Sequence, residues 1–251
     1  MSVRIMFLNA WGVGYADKPV LDVVSPFLRD DTDIACANLV GNAPAVPWPV
    51  PANRDAAIDA VLKAQADGFD AVVHTCAGDP FLQDLQGAVS IPVVGVAETV
   101  LRNARVRGKI GIMDRQLPAV YDAIIPSNAQ TGHWDTKAQN YGLTPDLYSV
   151  RKVRVPSHPD PQSLDVKTPD EARALSERMY ESFFESLHDD GIAQVKAAVA
   201  EDGIEAVYFA CNFWSQPIAA LGTRAHEFGV PIINPLGSAA TYAEHLALSS
   251  V

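Results

Sequence analysis

Cysteine, basic clusters and long apolar runs are scarce in this sequence, and each scarcity removes a class of function. Three cysteines, Cys36, Cys76 and Cys211, are spread over 251 residues, and no CxxC pair occurs. That is too few for a disulfide-stapled scaffold, so all three are expected as thiols in a reducing compartment. No Lys/Arg-rich run is present and the formal net charge is -11. Nucleic acid and anionic membrane surfaces are bound through basic patches, so neither is an expected partner. A small-molecule substrate is expected, and a homo-oligomer is left open. The six histidines show no HxH or HExxH spacing, so no metal site is indicated. The apolar part of MSVRIMFLNAWGVGY is far too short to span a bilayer, and Arg4 with no small-residue cleavage site makes a poor secretory signal. A cytoplasmic location is the corresponding expectation.

What is present is enough apolar material for a full core, 48% of residues, with 20% charged. Short runs rich in β-branched residues alternate with longer helical stretches, the pattern of βαβ units and a parallel sheet. Strands are expected at residues 3–9, within 32–39, and at 71–75, 92–96, 109–113, 152–155, 206–210 and 231–234. A helix is expected from about Ala97. Residues 116–167, with HWD at 133–135 and SHPDPQ at 157–162, read as loops around at most one strand. Residues 169–199 read as helix, broken around Asp189 to Gly191. Thr168 as N-cap, Pro169 in the first turn and Glu171 at the capping-box position mark its start. The proline-rich AVPWPVP at 45–51 excludes regular helix and reads as a loop over the edge of the first lobe.

An internal repeat organises the chain. Asp67-Gly68-Phe69-Asp70-Ala71-Val72-Val73-His74-Thr75-Cys76 aligns without gaps on Asp202-Gly203-Ile204-Glu205-Ala206-Val207-Tyr208-Phe209-Ala210-Cys211, 135 residues later. In each copy a helix ends at glycine, an acidic residue leads a buried strand, and a cysteine stands at the strand's carboxyl end. A helical segment and a matching strand come next, Ile91-Pro92-Val93-Val94 and Val230-Pro231-Ile232-Ile233. Ligands of open parallel sheets bind beyond the carboxyl strand ends, where both cysteines fall. The expected fold is therefore α/β, with two pseudo-symmetric lobes, each a parallel four-stranded sheet flanked by helices, and an active site in the cleft between them. Residues 1–98 plus 236–251 would form the lobe carrying Cys76, and 99–235 the lobe carrying Cys211. Cys36, inside a strand, reads as packing.

Two acid/base groups on opposite faces of a carbon can remove a proton from one side and return one to the other, inverting the centre. A thiol of ordinary pKa about 8.5 can be lowered toward neutrality at a polar strand end, giving a thiolate base and a thiol acid. The carbanion would be held as an enolate by backbone N–H groups and polar side chains. No cofactor is required for an acidic C–H.

These residues resemble the cofactor-independent aspartate/glutamate/hydantoin racemase superfamily, and most of all its hydantoin racemase branch. Cys76-Ala77-Gly78-Asp79-Pro80 is close to that branch's C-x-G-D-P, and Ile91-Pro92-Val93-Val94-Gly95-Val96-Ala97-Glu98 is also similar. The resemblance implies two pseudo-symmetric lobes with one site between them and the two cysteines as its acid/base pair. Departures occur where substrate contacts are expected. Asn9-Ala10-Trp11 stands for the usual Asn-Pro-Asn, Asn212-Phe213-Trp214-Ser215 for Ala-Gly-Met after the second cysteine, and Met113-Asp114 where threonine is common.

Asn9, Thr75, Gly78, Asp79, Asn212 and Ser238 lie at or just after expected strand ends and are candidates for holding substrate carbonyls or ring N–H groups. Turn chemistry explains each one alone equally well. Trp11, Phe213 and Trp214 could line a side-chain pocket or pack in a core. Gly12-Val13-Gly14 invites a dinucleotide reading, but Asp17 occupies the third glycine position, which favours a substrate-contacting loop. His74 reads as a core residue. The leading expectation is a racemase or epimerase acting beside a carbonyl, on 5-substituted hydantoins or amino-acid derivatives. A cis–trans isomerase or decarboxylase of a small dicarboxylate, and a non-enzymatic two-lobed binding protein, are the alternatives.

Overall fold

Two sheets built to the same plan carry the chain. The structure is a computed structural model, and it describes residues 2–9, 17–39, 53–104, 106–116, 133–155, 168–221 and 226–249. Trp11, the Gly12–Gly14 loop and the proline-rich segments 45–51 and 157–162 lie outside these residues. The first series is β1 (Arg4–Asn9), α1 (Asp17–Val24), β2 (Asp33–Asn38), α2 (Arg54–Ala66), β3 (Ala71–His74), α3 (Leu82–Ala88), β4 (Val93–Gly95) and α4 (Val96–Ala104). The second is β5 (Ile110–Gln116), α5 (His133–Asn140), β6 (Tyr148–Arg154), α6 (Pro169–Ser186), α7 (Ile192–Ala197), β7 (Ala206–Phe209), α8 (Ser215–Leu221), β8 (Ile232–Ile233) and α9 (Pro235–Ser249).

The sheets run β2-β1-β3-β4 and β6-β5-β7-β8, with every neighbouring pair parallel. Strands buried on both faces need near-continuous apolar runs. The central strands have them: Ala71–His74 and Ala206–Phe209 are buried at every position. The edge strands β2 and β6 are mostly half-buried. Cys36 sits in β2 and is accordingly half-buried rather than sealed in the core.

By residue the chain divides into two units, Met1–Val96 with Asp160–Glu177 and Leu236–Val251, and Ala97–Pro159 with Arg178–Pro235. In the first, α2 turns Ala57, Val61 and Ala64 onto Met6, Leu8 and Val72 of the sheet, an i, i+4, i+7 stripe. The C-terminal helix α9 returns to this unit. Its buried Glu244 accepts hydrogen bonds from the Arg29 backbone N–H and the Thr32 hydroxyl. Phe27 lies so close to Gly237 that a Cβ there would fall 2.6 Å from its ring.

The second unit has an aromatic core. Phe183 and Phe209 meet the fully buried Trp214 edge-on at 4.9 and 5.3 Å, contacts worth about 0.5–1.5 kcal/mol each beyond their buried area. The Trp214 indole N–H donates to Ser186 Oγ at 2.9 Å. From β6, Arg151 donates to Asp202 from Nε and Nη2 at 2.7 and 2.9 Å and to Glu201 at 2.7 Å.

Three expectations are corrected. Residues 133–135 open helix α5 instead of a loop, because Trp134 is buried edge-on against Tyr208 of β7 and Ala138 packs one turn later. The sixth strand starts at Tyr148, ahead of the expected 152. The chain from Pro169 also stays helical through Asp202. It widens into π turns at Leu187–Gly191 and Ala198–Asp202 rather than breaking near 189. Gly191 supplies the reason, since a Cβ there would lie 3.2 Å from both Leu187 and Phe209 and hold the helix off the sheet. The capping box is as expected: the Glu171 N–H donates to Thr168 Oγ1 at 3.3 Å, and the Thr168 N–H to Glu171 Oε2 at 2.9 Å.

Candidate active site

Cys76 and Cys211 are equivalent down to individual backbone hydrogen bonds. The Thr75 N–H donates to Leu8 O at 3.0 Å, and the Ala210 N–H, 135 positions on, to Met113 O at 2.9 Å. The Asp79 N–H closes a turn onto Cys76 O at 3.0 Å, and the Trp214 N–H closes the same turn onto Cys211 O at 3.0 Å. At the other strand ends the repeated acidic residue explains itself. Asp70 accepts the Arg4 N–H at 2.8 Å, and Glu205 accepts the Lys109 N–H at 3.3 Å, each returning a backbone bond to the same residue. The repeat is thus a pair of anchors, an acid below and a turn above, that set the height of each cysteine.

Around Cys76 the predicted residues converge but are largely occupied. Asn9 is fully buried, with Nδ2 donating to Asn38 Oδ1 at 2.6 Å and Oδ1 accepting the Thr75 hydroxyl at 2.7 Å. It ties the ends of β2, β1 and β3 together. The Cys76 N–H donates to His74 Nδ1 at 3.3 Å, which places the imidazole proton on Nε2 and makes the buried His74 a support for the turn. The turn is strained, with Asp79 at φ 45° and Phe81 at φ 61°. Such residues cost about 1–3 kcal/mol each and persist only where surroundings hold them. Here the buried Asp79 carboxylate rests on Gly95 of β4, where a Cβ would fall 2.7 Å from Oδ2. Gly78 is partly exposed, and an added Cβ would sit 3.8 Å from Cys76 Sγ.

Around Cys211 the chain is extended, at φ −152° and ψ 131°, before the turn Asn212–Trp214. Burial pushes the Cys211 thiol pKa up. The positive charge of Arg115 and a hydrogen bond from the Phe213 N–H oppose this, and Asp114 adds to it. The free thiol therefore holds its proton at neutral pH. Asp114 is 1% exposed and ion-paired with Lys152, which blunts its contribution.

Arg115 escapes sequence reading, although strand register finds it. Met113 pairs with Phe209, which puts Arg115 level with Cys211. The ring of Phe213 is packed at 4.9 Å from Tyr180 and 5.3 Å from Phe183, within the aromatic core. Asn212 differs from all of these. It is buried, and neither Oδ1 nor Nδ2 has a hydrogen-bond partner among the described residues. An orphaned buried polar atom costs about 1–3 kcal/mol. Ser238 is half-buried in the first turn of α9. A separate groove of about 320 Å³ between α6 and α8, lined by Tyr180, Phe184 and Pro217, holds none of the predicted residues. Among the described residues no three His, Cys, Asp or Glu side chains converge on a metal-sized site, and no helix is long and apolar enough to cross a membrane.

A family model described as Asp/Glu/Hydantoin racemase matches residues 31–113. A hydantoin racemase of Pseudomonas sp. (strain NS671) is 25% identical over 187 residues, covering 74% of this chain and 62% of that protein. The chain therefore spans less than two thirds of that relative's length. An allantoin racemase from Klebsiella pneumoniae superposes with a TM-score of 0.64 at 18% identity, over 99% of this chain and 89% of the other. One from Pseudomonas fluorescens superposes with a TM-score of 0.63 at 16% identity, over 99% and 92%. The chain is similar in sequence to the Asp/Glu/hydantoin racemases and shares their α/β fold.

Proposed function

We propose that this chain is a cofactor-independent racemase or epimerase that inverts a carbon next to a carbonyl, with Cys76 and Cys211 as its two acid/base groups. The observation that carries the reading is the equivalent hydrogen bond that closes a turn onto each cysteine's carbonyl, at the carboxyl end of equivalent strands. A lone structural thiol needs no such duplication. The similarity to a hydantoin racemase and the fold shared with allantoin racemases support the same reaction class and point to cyclic ureides such as 5-substituted hydantoins.

The upward push of burial on the Cys211 thiol supports Cys211 as the starting acid and Cys76 as the starting base. Cys76, as thiolate, takes the proton from the substrate carbon; the C–H bond breaks and its electron pair passes into the carbonyl as an enolate. Cys211, as thiol, delivers its proton to the opposite face of that carbon. The product leaves Cys76 protonated and Cys211 as thiolate, and the reverse direction starts from that form. Arg115 and the Phe213 N–H stabilise the Cys211 thiolate when it forms.

Deuterium wash-in tests this on wild type, Cys76→Ser and Cys211→Ser, with hydantoins, amino acids and dicarboxylates followed by polarimetry in deuterium oxide. Wild type should racemise a carbonyl-activated substrate with one solvent deuteron incorporated, and each serine variant should lose racemisation by at least about 100-fold. Either variant racemising at the wild-type rate refutes the two-base mechanism. Turnover confined to dicarboxylates, without exchange at a stereocentre, refutes the racemase reading.

A further inference from the structure

Asn212 is unusual in its unit because its carboxamide is more than nine-tenths buried and uses neither its donor nor its acceptor among the described residues. It adjoins Cys211 beyond β7, where the repeat places Ala77 in the first copy. A buried amide with both atoms unused is poorly justified by folding alone, since an apolar residue of similar shape would avoid the desolvation. The nearby aromatic side chains are committed to one another, and Trp214 donates to Ser186, so this cluster leaves the amide unanswered.

We propose that Asn212 is the specificity residue of the reaction and reads a planar N–H/C=O edge of a neutral cyclic amide substrate. Oδ1 accepts the ring N–H while Nδ2 donates to the adjacent carbonyl, closing a two-bond pair that a carboxylate does not complete. A carboxylate brings no N–H, so it leaves Oδ1 buried and unpaired against another oxygen, and sites of this kind reject such analogues strongly. The Nδ2–H bond strengthens as the carbonyl becomes an enolate, so Asn212 acts on kcat as well as on binding. This inference rests on the racemase reading.

The test compares a 5-substituted hydantoin, its N3-methyl derivative and the corresponding free amino acid on wild type, Asn212→Leu and Asn212→Asp. Wild type should prefer the parent hydantoin over the N3-methyl compound by about 100-fold in kcat/KM, because methylation removes the ring N–H and leaves Oδ1 buried without a donor. In Asn212→Leu that ratio should collapse toward one, because the partner of the N–H is gone. Asn212→Asp, which keeps the shape but exchanges donor for acceptor, should lose kcat on the parent. A wild-type ratio near one overturns the proposal without any variant, and so does a ratio unchanged in Asn212→Leu. Racemisation of the amino acid in preference to the hydantoin leaves the racemase reading standing and removes Asn212 as the reader of an amide edge. No exchange on any of the three substrates removes both.

Discussion

Gly95→Ala places a methyl group where β4 has no room for one, and it does so without touching either cysteine. The new Cβ falls 2.5 Å from Leu82 Cδ2 and 2.7 Å from both Cγ and Oδ2 of Asp79. All three distances lie well inside ordinary contact, and both neighbours are buried. Leu82 is held in the first unit's core, and Asp79 is held in a left-handed turn that closes onto Cys76 O. Neither can step aside cheaply. Overpacking of this kind costs about 1–3 kcal/mol, and two blocked neighbours place this case near the top of that range. At roughly 2–4 °C per kcal/mol for a chain of this size, the melting temperature should fall by about 5–10 °C. Adding Asp79→Ala removes two of the three contacts, so the double variant should recover part of the loss. Differential scanning fluorimetry reads both variants, and alkylation of Cys76 with iodoacetamide reports whether its turn has moved. A Gly95→Ala melting temperature within about 1 °C of wild type, or a double variant no better than the sum of the singles, would show that Asp79 does not rest on Gly95.

Gly87 in α3 is the contrasting case: a Cβ there meets nothing within 4 Å, so Gly87→Ala should raise stability by about 0.5–1 kcal/mol, seen as a small increase in melting temperature. Arg151→Met should cost about 2 kcal/mol at neutral pH by removing the two bonds to Asp202. Arg151 holds the Asp202 carboxyl below its usual pKa, so that stabilisation is present above the ordinary carboxylate range of about 4 and is lost as pH falls through the lowered value. The melting-temperature gap between wild type and variant should therefore close in acid, and a gap that stays constant with pH contradicts the assignment. In mass-resolved alkylation, the pH midpoint for Cys211 should lie above the ordinary thiol value of about 8.5, and Arg115→Gln should move it higher still. A midpoint lowered by Arg115→Gln would refute the role given to that charge.

Much of the architecture was legible because it was written in short-range patterns. The gapless match of residues 67–76 on 202–211 foretold two strands ending in cysteine, and Thr168 with Glu171 foretold a helix start. Gly68 ends α2 at φ 78°, with the Phe69 N–H reaching Ala64 O and the Gly68 N–H reaching Gln65 O, a closure that local sequence largely dictates. Helix α5 was illegible for the opposite reason. Its amphipathic signal rests on Trp134 and Ala138, and its stability comes from Tyr208, some seventy residues away. Asn9 looked like a substrate contact because it stands at a strand end. Only the order of the strands reveals Asn38 and Thr75 on either side of it, taking up both amide atoms. Phe213 and Trp214 were ambiguous for the same reason, since an aromatic residue after a strand can face a ligand or a helix.

The two copies agree in the hydrogen bonds that end each strand and close each turn, and differ in the side chains and backbone angles just past each cysteine; that division suits the proposed chemistry. Inverting a carbon takes a proton-transfer group on each face, so a duplicated turn that fixes sulfur height serves both. The substrate ring is not symmetric, so the residues beyond each sulfur need not match. Ala77, Gly78 and Asp79 correspond to Asn212, Phe213 and Trp214. After Cys76 come small residues and a strained turn whose acid is braced on Gly95. After Cys211 come two aromatics buried in a core and one amide left unpaired among the described residues. The braced turn leaves a partly exposed glycine, Gly78, beside the Cys76 sulfur. Phe213 and Trp214, which follow Asn212, both pack on Phe183. In the proposed reaction this makes the Cys211 side, with its buried amide, the reader of the substrate. Substitutions after Cys211 should therefore change which substrate is accepted, whereas substitutions after Cys76 should change rate across all substrates alike.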